Sequence, residues 1–141
     1  MEKPVYTMPA NIPYYDCDAK GRIKLPAAIR AMQKIASEHL DKTGRTQQSM
    51  YNNHMVFLLN KTCIKVIKMP MGGEDVTVKT CASGLKGPRF MRDIGIYDSN
   101  GDICIAFLTV WILVDSQTRK IIRPRDFTFP LPMSDSFVDC Y

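Results

Sequence analysis

From Leu25 onward, apolar residues recur at Leu25, Ala28, Ile29, Met32, Ile35, Ala36 and Leu40, with His39 at the edge of the stripe. These three- and four-residue steps put side chains on one face of a helix. Arg30, Lys34, Glu38 and Asp41 fall on the opposite face. Pro26 suits the first helical turn, where its missing N–H would have no partner anyway, and Gly44 suits the C-terminal stop. The pattern predicts a helix over about residues 25–43.

Beyond a polar stretch at 45–53, the texture changes to β-branched and alternating residues. Residues 55–68 read as a long strand ending at Pro70-Met71-Gly72-Gly73, where glycines permit a turn. Residues 76–83 set Val76, Val78, Thr80 and Ala82 against Thr77, Lys79, Cys81 and Ser83, and residues 89–97 set Phe90, Arg92, Ile94 and Ile96 against Arg89, Met91, Asp93 and Gly95. Asn100-Gly101 marks a hairpin turn. Residues 103–114 are apolar on both faces and predict a central strand, covered by the helix on one side and by another element, such as a second subunit, on the other. With a short leading strand near 5–11, the order is strand, helix, four strands. That is an α+β layer architecture in which one helix lies on an antiparallel sheet.

Length and composition fit a single core. The 141 residues are 45% hydrophobic and 23% charged, without low-complexity tracts. We expect one domain over 1–126 and a tail over 127–141, where Pro130 and Pro132 suggest an extended segment. The amino end lacks a signal-peptide core and the longest apolar run is shorter than a bilayer span, so no membrane span and a cytoplasmic location are expected. Five cysteines at scattered spacings argue against a disulfide framework and offer no zinc pair; most read as small buried hydrophobes. A net charge of +5 is compatible with an acidic or phosphate-bearing partner. No nucleic-acid-binding motif accompanies it.

Two aspartates, Asp16 and Asp18, stand shortly before the helix. One reading makes them turn and helix-entry carboxylates, favoured near a positive helix end. The other makes them chemical: a carboxylate beside the unpaired amides of Leu25, Ala27 and Ala28 can attack or activate water while an amide meets developing negative charge. Glu38, with Lys34 and Lys42 each a turn away, reads as a solvated ion pair. His39 reads as a packed, hydrogen-bonded histidine, and Trp111 as core.

The segment YDCDAKGRIKLP, residues 15–26, resembles the active-site segment of hotdog-fold thioesterases of the 4-hydroxybenzoyl-CoA type, in which Asp-x-Asp is followed by x-x-Gly and the hotdog helix. Residues 57–124 resemble the first hotdog repeat of acyl-acyl carrier protein (acyl-ACP) thioesterases. The likeness lies in the turn from Pro70 to Asp75, Ser83-Gly84-x-x-Gly87-x-Arg89, the Gly101 hairpin, Val110-Trp111, and Asp115-x-x-Thr118-Arg119 leading to Arg123-Pro124. The resemblance implies a hotdog fold, one long helix wrapped by an antiparallel sheet, and hydrolysis of acyl thioesters without a cofactor or metal. It implies Asp18 as the carboxylate, Leu25 as an oxyanion donor through its amide, and Gly21 as a point of close backbone approach to the acyl group. In that setting Lys86, Arg89 and Arg92 are candidates for binding phosphate or an acidic carrier surface, although exposed basic residues commonly just solvate a fold. Acyl-ACP thioesterases usually carry two repeats, with a catalytic Asn-x-His segment in the second, and 141 residues hold one. Two copies would then pair, as a dimer or a dimer of dimers, or the catalytic apparatus differs. The substrate is expected to be an ACP thioester; the alternatives are a coenzyme A thioester or a non-catalytic module that binds acyl chains or the carrier.

Overall fold

The computed structural model describes residues 5–42 and 46–124. Strand β1 (Val5–Asn11) leads through a 3₁₀ turn (Tyr14–Asp16) into helix α1 (Leu25–Lys42). A short helix α2 (Gln47–Asn52) and strands β2 (Met55–Val66), β3 (Asp75–Lys86), β4 (Arg89–Tyr97) and β5 (Ile103–Asp115) follow. The strands form one sheet in the order β1-β3-β4-β5-β2, with every neighbouring pair antiparallel. This is the α+β hotdog arrangement expected from the sequence. The expected helix stop at Gly44, the cysteine Cys140 and the tail 127–141 lie outside the described residues.

Helical periodicity and strand alternation meet in one core. α1 buries Ala28, Met32, Ile35, Ala36 and His39, and the alanines let its backbone settle close to the sheet. Opposite them stand Val76 and Val78 of β3, Ile94 and Ile96 of β4, and Ile105 and Phe107 of β5. Alternate residues of a strand point to one face, so the alternation visible in the sequence selects this inner set. A smaller cluster of Met50, Met55, Phe90 and Leu113 brings α2 against the sheet.

Four details differ from the sequence reading. The polar stretch before β2 contains α2, held by a cap in which the Ser49 amide donates to Thr46 Oγ1 at 3.0 Å, and anchored by buried Met50. Its single buried apolar residue leaves no periodic stripe to detect. β2 stops at Val66, because the Ile67 and Lys68 amides both turn to the Cys104 carbonyl, at 2.8 and 3.1 Å. The stretch from Ser83 to Arg89 is mostly strand, with a bulge between Ala82 and Gly84 and only Gly87-Pro88 as the turn; Gly87 has φ +59°. Finally, β5 is interior but β4 occupies the middle of the sheet. Among the described residues no helix is long and apolar enough to cross a membrane.

Two turns are clamped by carboxylates. Asp98 pairs with Lys68 and accepts the amides of Asn100 and Asp102 at 2.9 and 3.0 Å. Asp115 accepts those of Thr118 and Gln117 at 3.0 and 2.8 Å. Lys68 first, then the Asp102 amide, lowers the Asp98 pKa; the Thr118 and Gln117 amides lower that of Asp115. A carboxyl that binds its proton less tightly when folded stabilises the fold fully above its unfolded pKa of about 4, and loses that contribution as pH falls through the lower folded value. The urea midpoint should therefore hold from neutral pH to about 5 and fall below about 4, and Asp98→Asn should flatten the decline. A midpoint indifferent to acid would contradict the clamps.

Candidate active site

The segment before α1 is a tight loop closed by a bridge between Cys17 and Ile23. Asp18 organises it. Its Oδ1 accepts the amides of Lys20 and Arg22 at 2.9 and 3.0 Å, and its Oδ2 faces the Arg22 guanidinium, with Nη2 at 3.2 Å. The Arg22 amide foremost, then the Lys20 amide and the Arg22 charge, hold the Asp18 carboxyl below the usual carboxylate range. Asp18 is thus ionised at neutral pH, and it remains half-exposed. The Gly21 amide donates to the Asp18 carbonyl at 2.9 Å, and its φ of +79° is the left-handed conformation that favours glycine. The Gly21 carbonyl accepts from the Gly72 amide at 2.8 Å. Asp16 instead lies 3.5 Å from Arg30 of α1, and its carbonyl accepts the Lys24 amide.

Of the three amides expected to be unpaired at the helix start, two are used. Ala27 and Ala28 both donate to the Lys24 carbonyl, at 3.0 and 3.2 Å. The Leu25 amide alone of the three has no acceptor among the described residues, and there the helix dipole also favours negative charge. Asp18, Gly21 and Leu25 therefore share one segment at the amino end of α1.

An apolar cavity lies elsewhere. A space of about 310 Å³ opens between the second half of α1, α2 and the sheet, bounded by Gln33, Ala36 and Leu40, by Met50, and by Phe57, Phe90 and Trp111. Its walls are mostly apolar, and the volume is at the lower end of ligand-binding pockets. Gln33 is eight residues beyond Leu25, which at the helical rise is about 12 Å along the axis. Trp111, read from the sequence as core, is a wall of this cavity, with its indole N–H donating to Thr109 Oγ1 at 2.8 Å.

Arg92 is in that wall too. It was expected beside Lys86 and Arg89 on a binding surface; those two are exposed at the β3–β4 turn, whereas Arg92 is 5% exposed. The register explains it: Arg92 shares the inward face of β4 with Phe90, Ile94 and Ile96, so its guanidinium lines the cavity and not the outer surface. Its Nη1 lies 2.9 Å from His39 Nδ1 and donates to Thr80 Oγ1 at 3.1 Å. A guanidinium only donates, so His39 Nδ1 accepts and the ring is neutral. Burial lowers the Arg92 pKa to about 10, which leaves it cationic at neutral pH. The His39 ring stacks on Tyr6 with centroids 5.6 Å apart, and the Tyr6 hydroxyl donates to Glu38 Oε2 at 3.4 Å; Glu38 thus meets Tyr6 in place of the expected lysines. Among the described residues no three His, Cys, Asp or Glu side chains gather as metal ligands.

Residues 3–128 match the sequence profile of the acyl-ACP thioesterase N-terminal domain. A chloroplastic acyl-(acyl-carrier-protein) hydrolase of Cuphea viscosissima is 28% identical over 132 residues, covering 86% of this chain and 31% of that protein. The chain thus spans about a third of the length of the curated relatives it matches. Among solved structures, an oleoyl thioesterase of Lactobacillus plantarum superposes with a TM-score of 0.81 at 24% identity, over 84% of this chain and 46% of that one. A DHNA-CoA thioesterase of Staphylococcus aureus superposes with a TM-score of 0.77 at 18% identity, over 88% and 83%. Both likenesses concern the fold.

Proposed function

Because this chain belongs to the acyl-ACP thioesterase N-terminal domain family, we propose that it hydrolyses acyl thioesters, with acyl-ACP as the preferred substrate and two copies assembling the site. The observation that carries the reading is the apolar cavity of about 310 Å³ against α1, shaped to take an alkyl chain. At the other end of the same helix, the ionised Asp18 carboxylate attacks the thioester carbonyl or takes a proton from water. The Leu25 amide meets the oxygen that becomes negative. Water adds to the acyl carbon, and the carrier leaves as a thiol. Lys86 and Arg89 suit the pantetheine phosphate or an acidic carrier surface.

One copy holds the cavity and Asp18 at opposite ends of α1, and the edge of the sheet supports pairing. β2 is a 12-residue edge strand bearing exposed Leu58 and Val66, the kind of edge that invites another strand. Joining two β2 edges about a two-fold axis runs the helices antiparallel, so the amino end of one lies toward the cavity of the other. Thiol release should be measured across a chain-length series of acyl-ACP and acyl-CoA, with the mass in solution read by light scattering. Dimers hydrolysing acyl-ACP faster than acyl-CoA are expected. Faster turnover of acyl-CoA would reassign the carrier. Because the Asp18 carboxylate is already engaged by Arg22, a second reading is a non-catalytic acyl- or carrier-binding module. Tight binding of acyl-ACP without thiol release would establish that reading and end the first.

A further inference from the structure

We propose that the cavity beside α1 is a site for an aliphatic chain bearing a carboxylate, and that Arg92 binds that carboxylate inside the apolar wall. Arg92 is 5% exposed, and among the described residues both of its hydrogen bonds go through Nη1 to neutral groups, His39 and Thr80. A guanidinium carries five N–H groups in a fork matched to a carboxylate. Among the described residues, the Nε and Nη2 hydrogens have no acceptor. Among the described residues no carboxylate forms an ion pair with Arg92: Asp41, the acidic residue on the cavity wall, is solvent-exposed. A buried cation without an anion is costly and normally occurs where an anion completes it. Phe90 and Trp111 flank it with apolar surface, so a ligand that satisfies the site combines an alkyl body with one anionic oxygen group.

The chemistry is shared by two ligands: a thioester whose acyl chain ends in a carboxylate, and the free fatty acid released by hydrolysis. The proposal takes its substrate class from the thioesterase reading, but the carboxylate site is measurable without turnover. Trp111 is the single tryptophan of the chain and lies on the cavity wall, so its fluorescence reports occupancy. We expect decanoate to bind wild-type protein at least about tenfold more tightly than methyl decanoate, a difference in keeping with a charge-assisted bidentate pair. Arg92→Met should erase the difference and Arg92→Lys should keep part of it. Equal affinity of wild type for acid and ester overturns the proposal, whatever the variants do. In the second arm, ω-carboxyacyl thioesters are compared with their ω-methyl esters. Faster hydrolysis of the carboxylate form places the substrate's remote end at Arg92, and equal hydrolysis with selective decanoate binding assigns the site to the product. Selective decanoate binding with no hydrolysis of any thioester sinks the enzymatic reading and leaves the carboxylate site standing.

Discussion

Asp18→Asn should reduce thioester hydrolysis by about 10² to 10⁴-fold, the span usual for removing a positioned acid–base or nucleophilic group, while leaving the fold intact. The two halves of that expectation come from different oxygens. Oδ1 accepts the Lys20 and Arg22 amides and so builds the loop; an asparagine oxygen keeps both bonds. Among the described residues Oδ2 meets only the Arg22 side chain, which is half-exposed and can swing aside, so this is the oxygen left for chemistry. Circular dichroism and the urea midpoint should therefore change little while turnover collapses. Because its neighbours hold the Asp18 carboxyl below the ordinary range, it is fully ionised from about pH 5 upward. The rate should then show no acid limb from this group between about pH 5 and 8. Full activity in Asp18→Asn would remove Asp18 from the mechanism and return it to the turn role its hydrogen bonds already describe.

The sequence carried the frame of the fold because two periodicities rarely coexist by chance. The stripe through Ala28, Met32, Ile35 and Ala36 fixes the buried face of α1, and the alternation through Val76, Val78 and Thr80 fixes the inner face of β3. α2 escaped because six residues with a single buried methionine leave no period. The loop around Asp18 was readable from Gly21 and the paired aspartates, but its hydrogen bonds run to amides, which side-chain identity does not encode. Arg92 is the instructive case. Its place in the alternation with Phe90, Ile94 and Ile96 already assigned it to the inside, yet its charge argued for the surface, and the register prevailed. Trp111 was read as core for a similar reason. Sequence shows that a face is apolar, not that the helix and sheet part over α2 to leave that face lining a space.

That distinction between filled core and open cavity sets where mutation costs most. Phe107→Ala should lower stability by about 3–5 kcal/mol, toward the upper end of that range. Phe107 is fully buried at the centre of β5, directly opposite Ile94 of β4 and Ile64 of β2, with α1 above it. Ladders on both sides hold the backbone in place, so the space left by the ring cannot collapse, and the residual void adds to the lost transfer energy. Since small domains are stable by about 5–15 kcal/mol, this single change removes a large share of the total. Leu108→Ala is the comparison: the neighbouring side chain points to the other face, is only half-buried, and should cost about 1 kcal/mol. In urea the Phe107 variant should show a much lower midpoint with the slope unchanged, since the surface exposed on unfolding hardly differs. If Phe107→Ala cost no more than Leu108→Ala, the core would not lie between α1 and the inner face of β5, and the separation of that core from the cavity under α2 would fail with it.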